Sequence, residues 1–321
     1  GTATNLKKWT FSTWIKCGDE SQGVLIGAGD WNGDQTWVRI DGNLQLTFEN
    51  YISSTWEGRI DLDRVMEQSA EWIHIFFRYD STPASPDGDD VYLAINGVQS
   101  TNITSHVSSP TYPSQNQETI MNTAVLSSIG GAGGTNVPSA AYFDGYMAET
   151  IMVDGYALSP SVFGQTDTST NRWIPKEVTA ATLNTAGGGS SGFGDEGFYL
   201  EFGTAADLGD DTNDWAESTD LGANNQTDDT PTKNYCTWNP LNTPSGMTFS
   251  NGNLQLDSTT NWYAGLGTMQ ISSGKWYWEV NVGTATPGFA IGVADAGTMG
   301  NATDAVRLNG WVYAYDADQR Y

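Results

Sequence analysis

Residues 9–15 alternate strictly, with Trp9, Phe11, Thr13 and Ile15 on one side and Thr10, Ser12 and Trp14 on the other. A period of two is that of a strand, whose successive side chains point to opposite faces. The same rhythm predicts strands over residues 23–28, 36–40, 43–48, 71–79, 90–95, 125–129 and 142–153, separated by Gly- and Asp-rich turns. Val91, Leu93 and Ile95 share a face, and Asn96-Gly97 follows them directly. That dipeptide supplies the two left-handed residues of a tight hairpin. Short strands at regular spacing predict a sandwich of two sheets. Residues 59–68 carry a weak helical pattern. Residues 159–163 carry a better one, with Ser159 as N-cap and Pro160 at the first helical position.

Composition changes after Gly164. Residues 165–235 hold the run Gly187-Gly188-Gly189-Ser190-Ser191-Gly192 and many acidic and amide side chains. A disordered segment would not keep Trp173, Phe198, Tyr199, Phe202 and Trp215, so the region reads as a connector with a small ordered patch, including a strand over 197–202. The strand rhythm restarts at residues 247–249, 254–256, 274–282, 288–293 and 310–315, with Trp276, Trp278 and Val280 opposite Tyr277 and Glu279. The pentapeptide Gly-Asn-Leu-Gln-Leu occurs at both 42–46 and 252–256. The expected fold class is all-β: two jelly-roll-like β-sandwich domains, residues 1–165 and 236–321, joined by a Gly/Ser/Asp-rich connector, 166–235.

Size and charge narrow the function. A chain of 321 residues suits about two domains. Charged residues are 16% of the chain, against about 25% in ordinary globular proteins, and the net charge is −25. Such a surface repels phosphate backbones and anionic membranes, while dense acidity suits divalent cations or salty surroundings. No apolar run approaches the roughly 20 residues of a membrane-spanning helix, and the N-terminal residues carry no signal-peptide pattern. Cys17 and Cys236 are too few for a disulfide framework and read as small apolar residues.

Several motifs resemble known families. Trp9-Thr10-Phe11-Ser12-Thr13-Trp14-Ile15-Lys16, Trp72-Ile73-His74-Ile75, Asp90-Val91-Tyr92-Leu93-Ala94-Ile95-Asn96-Gly97 and Phe143-Asp144-Gly145-Tyr146-Met147-Ala148-Glu149, in that order, resemble a concanavalin-A-like (laminin-G) domain over about residues 5–165. Gly274-Lys275-Trp276-Tyr277-Trp278-Glu279-Val280, Gly288-Phe289-Ala290-Ile291-Gly292-Val293 and Gly310-Trp311 resemble a SPRY domain that lacks the family's later strands, so the natural chain is expected to continue. The combination is similar to bacteriophage tail-fibre and other virion-surface proteins. It implies an appendage or capsid-surface location, a homo-oligomer (a trimer among the options), other virion proteins as neighbours, and a host-surface glycan or protein as ligand. A structural virion subunit and a secreted carbohydrate-binding module are the alternatives.

Catalytic signatures are sparse. Concanavalin-like glycosidases set paired carboxylates along one strand face. Here Asp61 and Asp63 fall outside the predicted strands, and Glu149 and Asp154 are an odd number apart, facing opposite sides of a regular strand. The one Gly-x-Ser-x-Gly match, Gly188-Gly189-Ser190-Ser191-Gly192, falls in the low-complexity run rather than between a predicted strand and a predicted helix, as a nucleophile elbow requires. His74 and His106 are isolated. A non-enzymatic binding protein is therefore expected. Calcium is the expected ion, because hard cations want oxygens gathered on a loop. The candidate ligands are Asp30, Asn32 and Asp34 around Gly33, and Asp87, Asp89 and Asp90 beside Gly88; ordinary solvated turns have the same composition. Trp31, Trp37, Tyr51 and Trp56 lie in or near polar loops and are the candidate glycan-stacking residues.

Overall fold

The computed structural model describes residues 3–17, 22–66, 71–101, 110–121, 123–134, 137–138, 141–187, 191–202, 226–239, 247–258, 265–269, 273–283, 289–294 and 310–315. The chain is nearly all β and divides into two units. One comprises Gly1–Ala223 with Thr230–Asn234, the other Asn224–Asp229 with Tyr235–Tyr321.

The first unit opens with β1 (Lys8–Cys17), β2 (Gly23–Gly29), β3 (Gln35–Ile40), β4 (Gln45–Ile52), β5 (Thr55–Val65), β6 (Ile73–Asp80), β7 (Tyr92–Ile95), β8 (Val98–Gln99), β9 (Ser127–Ile129) and β10 (Gly145–Asp154). A 3₁₀ turn (Pro160–Val162), β11 (Gly164–Thr166), β12 (Trp173–Pro175), α1 (Ala180–Gly187) and β13 (Phe198–Leu200) follow. Two large antiparallel sheets result, ordered β13-β10-β1-β6-β7-β8 and β5-β4-β3-β2-β9, and β11 pairs with β12 as a separate two-stranded ribbon. Each alternating stripe of apolar residues needs a cover, and the two sheets cover one another. Trp9, Phe48, Phe77 and Tyr79 are fully buried between them, with ring centroids 4.8 Å apart for Trp9–Phe77 and 4.4 Å for Phe48–Phe77. The indole Nε1 of Trp9 donates to Thr119 Oγ1 at 3.1 Å, so its polar edge is satisfied inside the core.

The predicted strands are present, and so is the hairpin. Asn96 and Gly97 have φ of 50° and 76°, and Ile95 pairs with Val98 across them. Three expectations need correction. The described residues 59–66 of the expected helix over 59–68 are not helical. Their Ile60 and Leu62 are buried alternately in β5, whose backbone is paired by β4. Asp61 and Asp63 therefore lie in a strand. Second, Ser159 precedes the turn at Pro160 without capping it; its Oγ meets Ser161 Oγ instead. Third, residues 274–282 form no strand among the described residues. Their backbone has no ladder partner there, and Trp276, Tyr277 and Trp278 are 65%, 82% and 50% exposed.

Residues 164–200, which fall mostly in the expected connector, belong to the first unit. β13 pairs with the outer side of β10, Ile151 opposite Tyr199. The outer face of the six-stranded sheet, with Phe76, Tyr92, Ile151 and Val153, is covered by Leu158, Phe163, Val178 and Leu183. Trp173 anchors this cover. Its indole N–H donates to His74 Nδ1 at 3.1 Å. Because indole only donates, the imidazole carries its proton on Nε2, 2.8 Å from Ser12 Oγ. A Cβ on Gly97 would lie 2.5 Å from the Trp173 ring, so that turn needs glycine for close approach as well as for its φ.

The second unit contains three two-stranded antiparallel ladders among its described residues: β14 (Trp238–Asn239) with β17 (Leu266–Gly267), β15 (Met247–Ser250) with β16 (Gln255–Ser258), and β18 (Phe289–Ala294) with β19 (Gly310–Tyr315).

Candidate functional site

On β3, β4 and β5 the residues Val38, Ile40, Leu46, Phe48 and Ile60 face the core. Their alternates face outward, and the register aligns them. Trp37 lies opposite Glu49, which lies opposite Arg59; Arg39 opposes Thr47, which opposes Asp61; Tyr51 opposes Trp56. A bulge between the Asn50 and Tyr51 pairs brings Trp56 and Arg59 to one face, although their odd spacing would separate them in a regular strand.

Glu49 is the hub of this face. Its side chain is 2% exposed, and Arg39 Nη2 donates to its Oε1 at 3.1 Å. Arg39 Nε lies 3.0 Å from Oε2, an ion-pair separation without hydrogen-bond alignment. Arg59 Nη1 approaches Oε1 at 3.5 Å. Arg59 Nε donates to both oxygens of Asp61, at 3.2 and 3.0 Å, and the Asp61 side chain is 1% exposed. The Arg59 guanidinium also stands 4.8 Å from the Trp56 ring centroid, a cation–π distance. Trp56 and Tyr51 are half-buried with centroids 4.8 Å apart, interplanar angle 56°. The outward groups are two aromatic rings and two guanidinium groups, with the carboxylates beneath.

The turn carrying Tyr51 and Trp56 is Ser53-Ser54, with φ of 51° and 65°. Both central residues are left-handed, as in the type I′ turn that favours Asn-Gly. Asp34 Oδ1 accepts the Ser53 N–H at 2.7 Å and holds that turn.

Trp31 and Trp37 stack at 5.0 Å with an interplanar angle of 20°. Trp37 is 2% exposed, packed with Val24, Ala132 and Ala141 beneath the partly buried Trp31. Trp37 is thus wall rather than platform, and of that pair Trp31 alone presents a face. The four aromatic candidates form two separate pairs. The charged hub Arg39–Glu49–Arg59–Asp61 has no counterpart in the sequence expectations.

In both acidic loops carboxylate oxygens accept backbone N–H groups. Asp30 Oδ1 accepts the Asn32 N–H at 3.0 Å, and Asp34 serves Ser53. Asp87 Oδ1 accepts the Asp89 N–H at 2.9 Å, and Asp90 Oδ2 faces the Asp87 N–H at 3.3 Å. Among the described residues no group of three or more His, Cys, Asp or Glu side chains could hold a metal. Calcium takes six to eight oxygens, so neither loop fits that shell through its own carboxylates. Asp87 and Asp89 instead line a cavity of about 280 Å³ with Ile60, Tyr92, Gln99 and Tyr112. Burial, and then the charges of Asp87 and Asp89, push the Tyr112 hydroxyl above its ordinary pKa.

His74 is fully buried and held neutral, its pKa lowered to about 3 by desolvation; His106 lies outside the described residues. Glu149 has φ of 50° at an irregularity in the β1–β10 ladder, so a simple odd-even count does not carry across to Asp154. Burial raises its pKa, and it accepts a hydrogen bond from the Tyr199 hydroxyl. The buried Asp154 carboxylate accepts the N–H groups of Thr4 at 2.5 Å and of Glu196 at 3.4 Å. Both acids have structural partners.

No known family model and no curated protein sequence matches the chain. Solved structures resemble it at low identity. The CBM40 domain of a Ruminococcus gnavus IT-sialidase, bound to α2,3 sialyllactose, is 15% identical over 49% of this chain and 80% of its own, with a TM-score of 0.34. A heptameric SAP-like pentraxin from Limulus polyphemus is 13% identical over 47% of this chain and 65% of its own, TM-score 0.32. The tailspike protein 2 enzymatically active domain of bacteriophage CBA120 is 12% identical over 48% of this chain and 23% of its own, TM-score 0.30.

Proposed function

We propose that the first unit is a non-catalytic glycan-binding domain and that the chain is displayed on a virion surface. The observation carrying the binding reading is the outward row Tyr51, Trp56 and Arg59 over buried Glu49 and Asp61. A pyranose ring lays its C–H face on an aromatic ring, and its hydroxyls take charge-assisted hydrogen bonds from guanidinium groups fixed beside it. The arginines are pre-oriented by their carboxylates, so little side-chain entropy remains to be lost on binding. The same pairing favours a binding role over hydrolysis, because Asp61 and Glu49 are committed to arginine partners rather than set as an acid and a nucleophile.

The test is glycan-array binding by the wild-type chain and Trp56→Ala. Removing a stacking ring is expected to weaken binding at least about tenfold, the scale of 1.4 kcal/mol. Equal binding by the variant would remove this face from consideration. The virion location rests on the resemblance in domain order; capsid, portal or tail genes beside this one would support it, and a neighbouring polysaccharide-degrading enzyme would favour the secreted module instead. A structural role for the second unit is favoured by its exposed Trp276, Tyr277 and Trp278, since such patches ordinarily mark contact surfaces.

A further inference from the structure

The charge arrangement of the same face selects a class of glycan, and this inference rests on the glycan-binding reading above. We infer that the ligand is an uncharged oligosaccharide, and that Glu49 is the residue that enforces this choice.

Two cations and two anions make up the hub. Arg39 is held by Glu49 through Nη2 at 3.1 Å, with Nε 3.0 Å from the second carboxylate oxygen. Arg59 is shared between Glu49 at 3.5 Å and Asp61 at 3.0 Å. Each guanidinium therefore meets an opposite charge within about one hydrogen-bond length. A uronate, sialate or sulfate approaching the exposed edge of Arg39 or Arg59 would be attracted by that cation and repelled at similar range by the carboxylate below it. Neutral hydroxyls meet no such cancellation. They accept from guanidinium N–H groups already oriented by the ion pairs.

The burial of the two acids sharpens this. At 2% and 1% side-chain exposure, Glu49 and Asp61 are poorly screened by salt. Their opposition to an anion persists at ionic strengths that would erase a surface charge. The chain as a whole, at −25, adds a repulsive field at longer range. Glu49 contacts both arginines, so its neutralisation would loosen the charge balance at both, whereas that of Asp61 would do so at Arg59.

The experiment uses the full chain and an array of neutral oligosaccharides printed beside their uronate-, sialate- and sulfate-bearing counterparts, at low and high salt. The expected result is binding of neutral members, at least about tenfold weaker binding of each acidic counterpart, and a change of less than about twofold in neutral binding across the salt series. Glu49→Gln is expected to narrow the neutral-to-acidic ratio by about tenfold at low salt. Asp61→Asn serves the same purpose if Glu49→Gln does not fold. Acidic glycans binding better than neutral ones, with loss in Trp56→Ala, would overturn this inference while leaving the glycan-binding reading intact. Unchanged selectivity in both charge variants would likewise overturn it. Silence across the whole array, or binding indifferent to Trp56→Ala, would bring down the reading itself.

Discussion

The same five residues, Gly-Asn-Leu-Gln-Leu, turn the chain into a strand in both units, and the two copies meet different ends. In the first, Gln45 opens β4 and Leu46 is fully buried in a five-stranded sheet. In the second, Gln255 opens β16, which pairs only with β15 among the described residues, and Leu256 is half-buried. Even the turns differ: Leu44 takes φ of 59° in one, Gly252 and Asn253 take 63° and 62° in the other. Likewise Trp9 and Trp276 both sit in alternating runs, yet one is fully buried and the other 65% exposed. Alternation says where a strand can form. A second apolar face decides whether the stripe becomes core.

The largest contrast is expected from truncating an aromatic in each unit. Phe48→Ala should cost about 3–5 kcal/mol in denaturant unfolding, since it empties space between two packed sheets. Tyr277→Ala should stay within about 0.5 kcal/mol, as for an exposed site. Similar losses at both positions would show that the residues 274–282 are covered in solution.

Within the first unit, Trp173→Ala should cost about 2–3 kcal/mol, because it removes packing against Gly97 and Gly164 and orphans a buried imidazole nitrogen. That imidazole also gives a pH signature. The folded state lowers the His74 pKa from 6.5 to about 3, by burial. Between those values the unfolded chain binds the extra proton, so this contribution is complete above pH 6.5 and drains as the pH falls toward 3. In His74→Gln the corresponding slope should vanish, read as the difference between the two stability–pH curves.

The smallest effect concerns the turn beneath the candidate site. Replacing Ser53-Ser54 by Asn-Gly should stabilise by about 0.5–1 kcal/mol, as left-handed residues replace strained serines. A loss would mean that the serine hydroxyls have partners outweighing the backbone gain.

The strands of the first unit were legible because Trp9, Phe11 and Ile15, or Val91, Leu93 and Ile95, alternate without interruption. The short apolar run at 197–202 gave away β13. β5 was misread because its outward residues, Arg59, Asp61 and Asp63, are charged and look like a solvated helix face. The alternation of Ile60 and Leu62 was the signal to follow. Bulges hid the rest. The irregularity before Tyr51 lets Trp56 and Arg59 share a face, and no spacing rule announces an inserted residue. The hub itself joins three strands, so it follows from register: a hairpin turning near Asn43 sets Trp37 against Glu49, whereas the partner on β5 depends on the bulge.

The attachment of β13 to β10 has a practical corollary for anyone excising the first sandwich. A cut at residue 165 would strip both the cover holding Leu183 and the terminal strand, baring the ladder groups of Thr150 to Met152. An open sheet margin of that kind recruits strands from other molecules. The shortest soluble fragment is therefore expected to run to at least residue 202, with shorter ones precipitating or assembling through the bared edge.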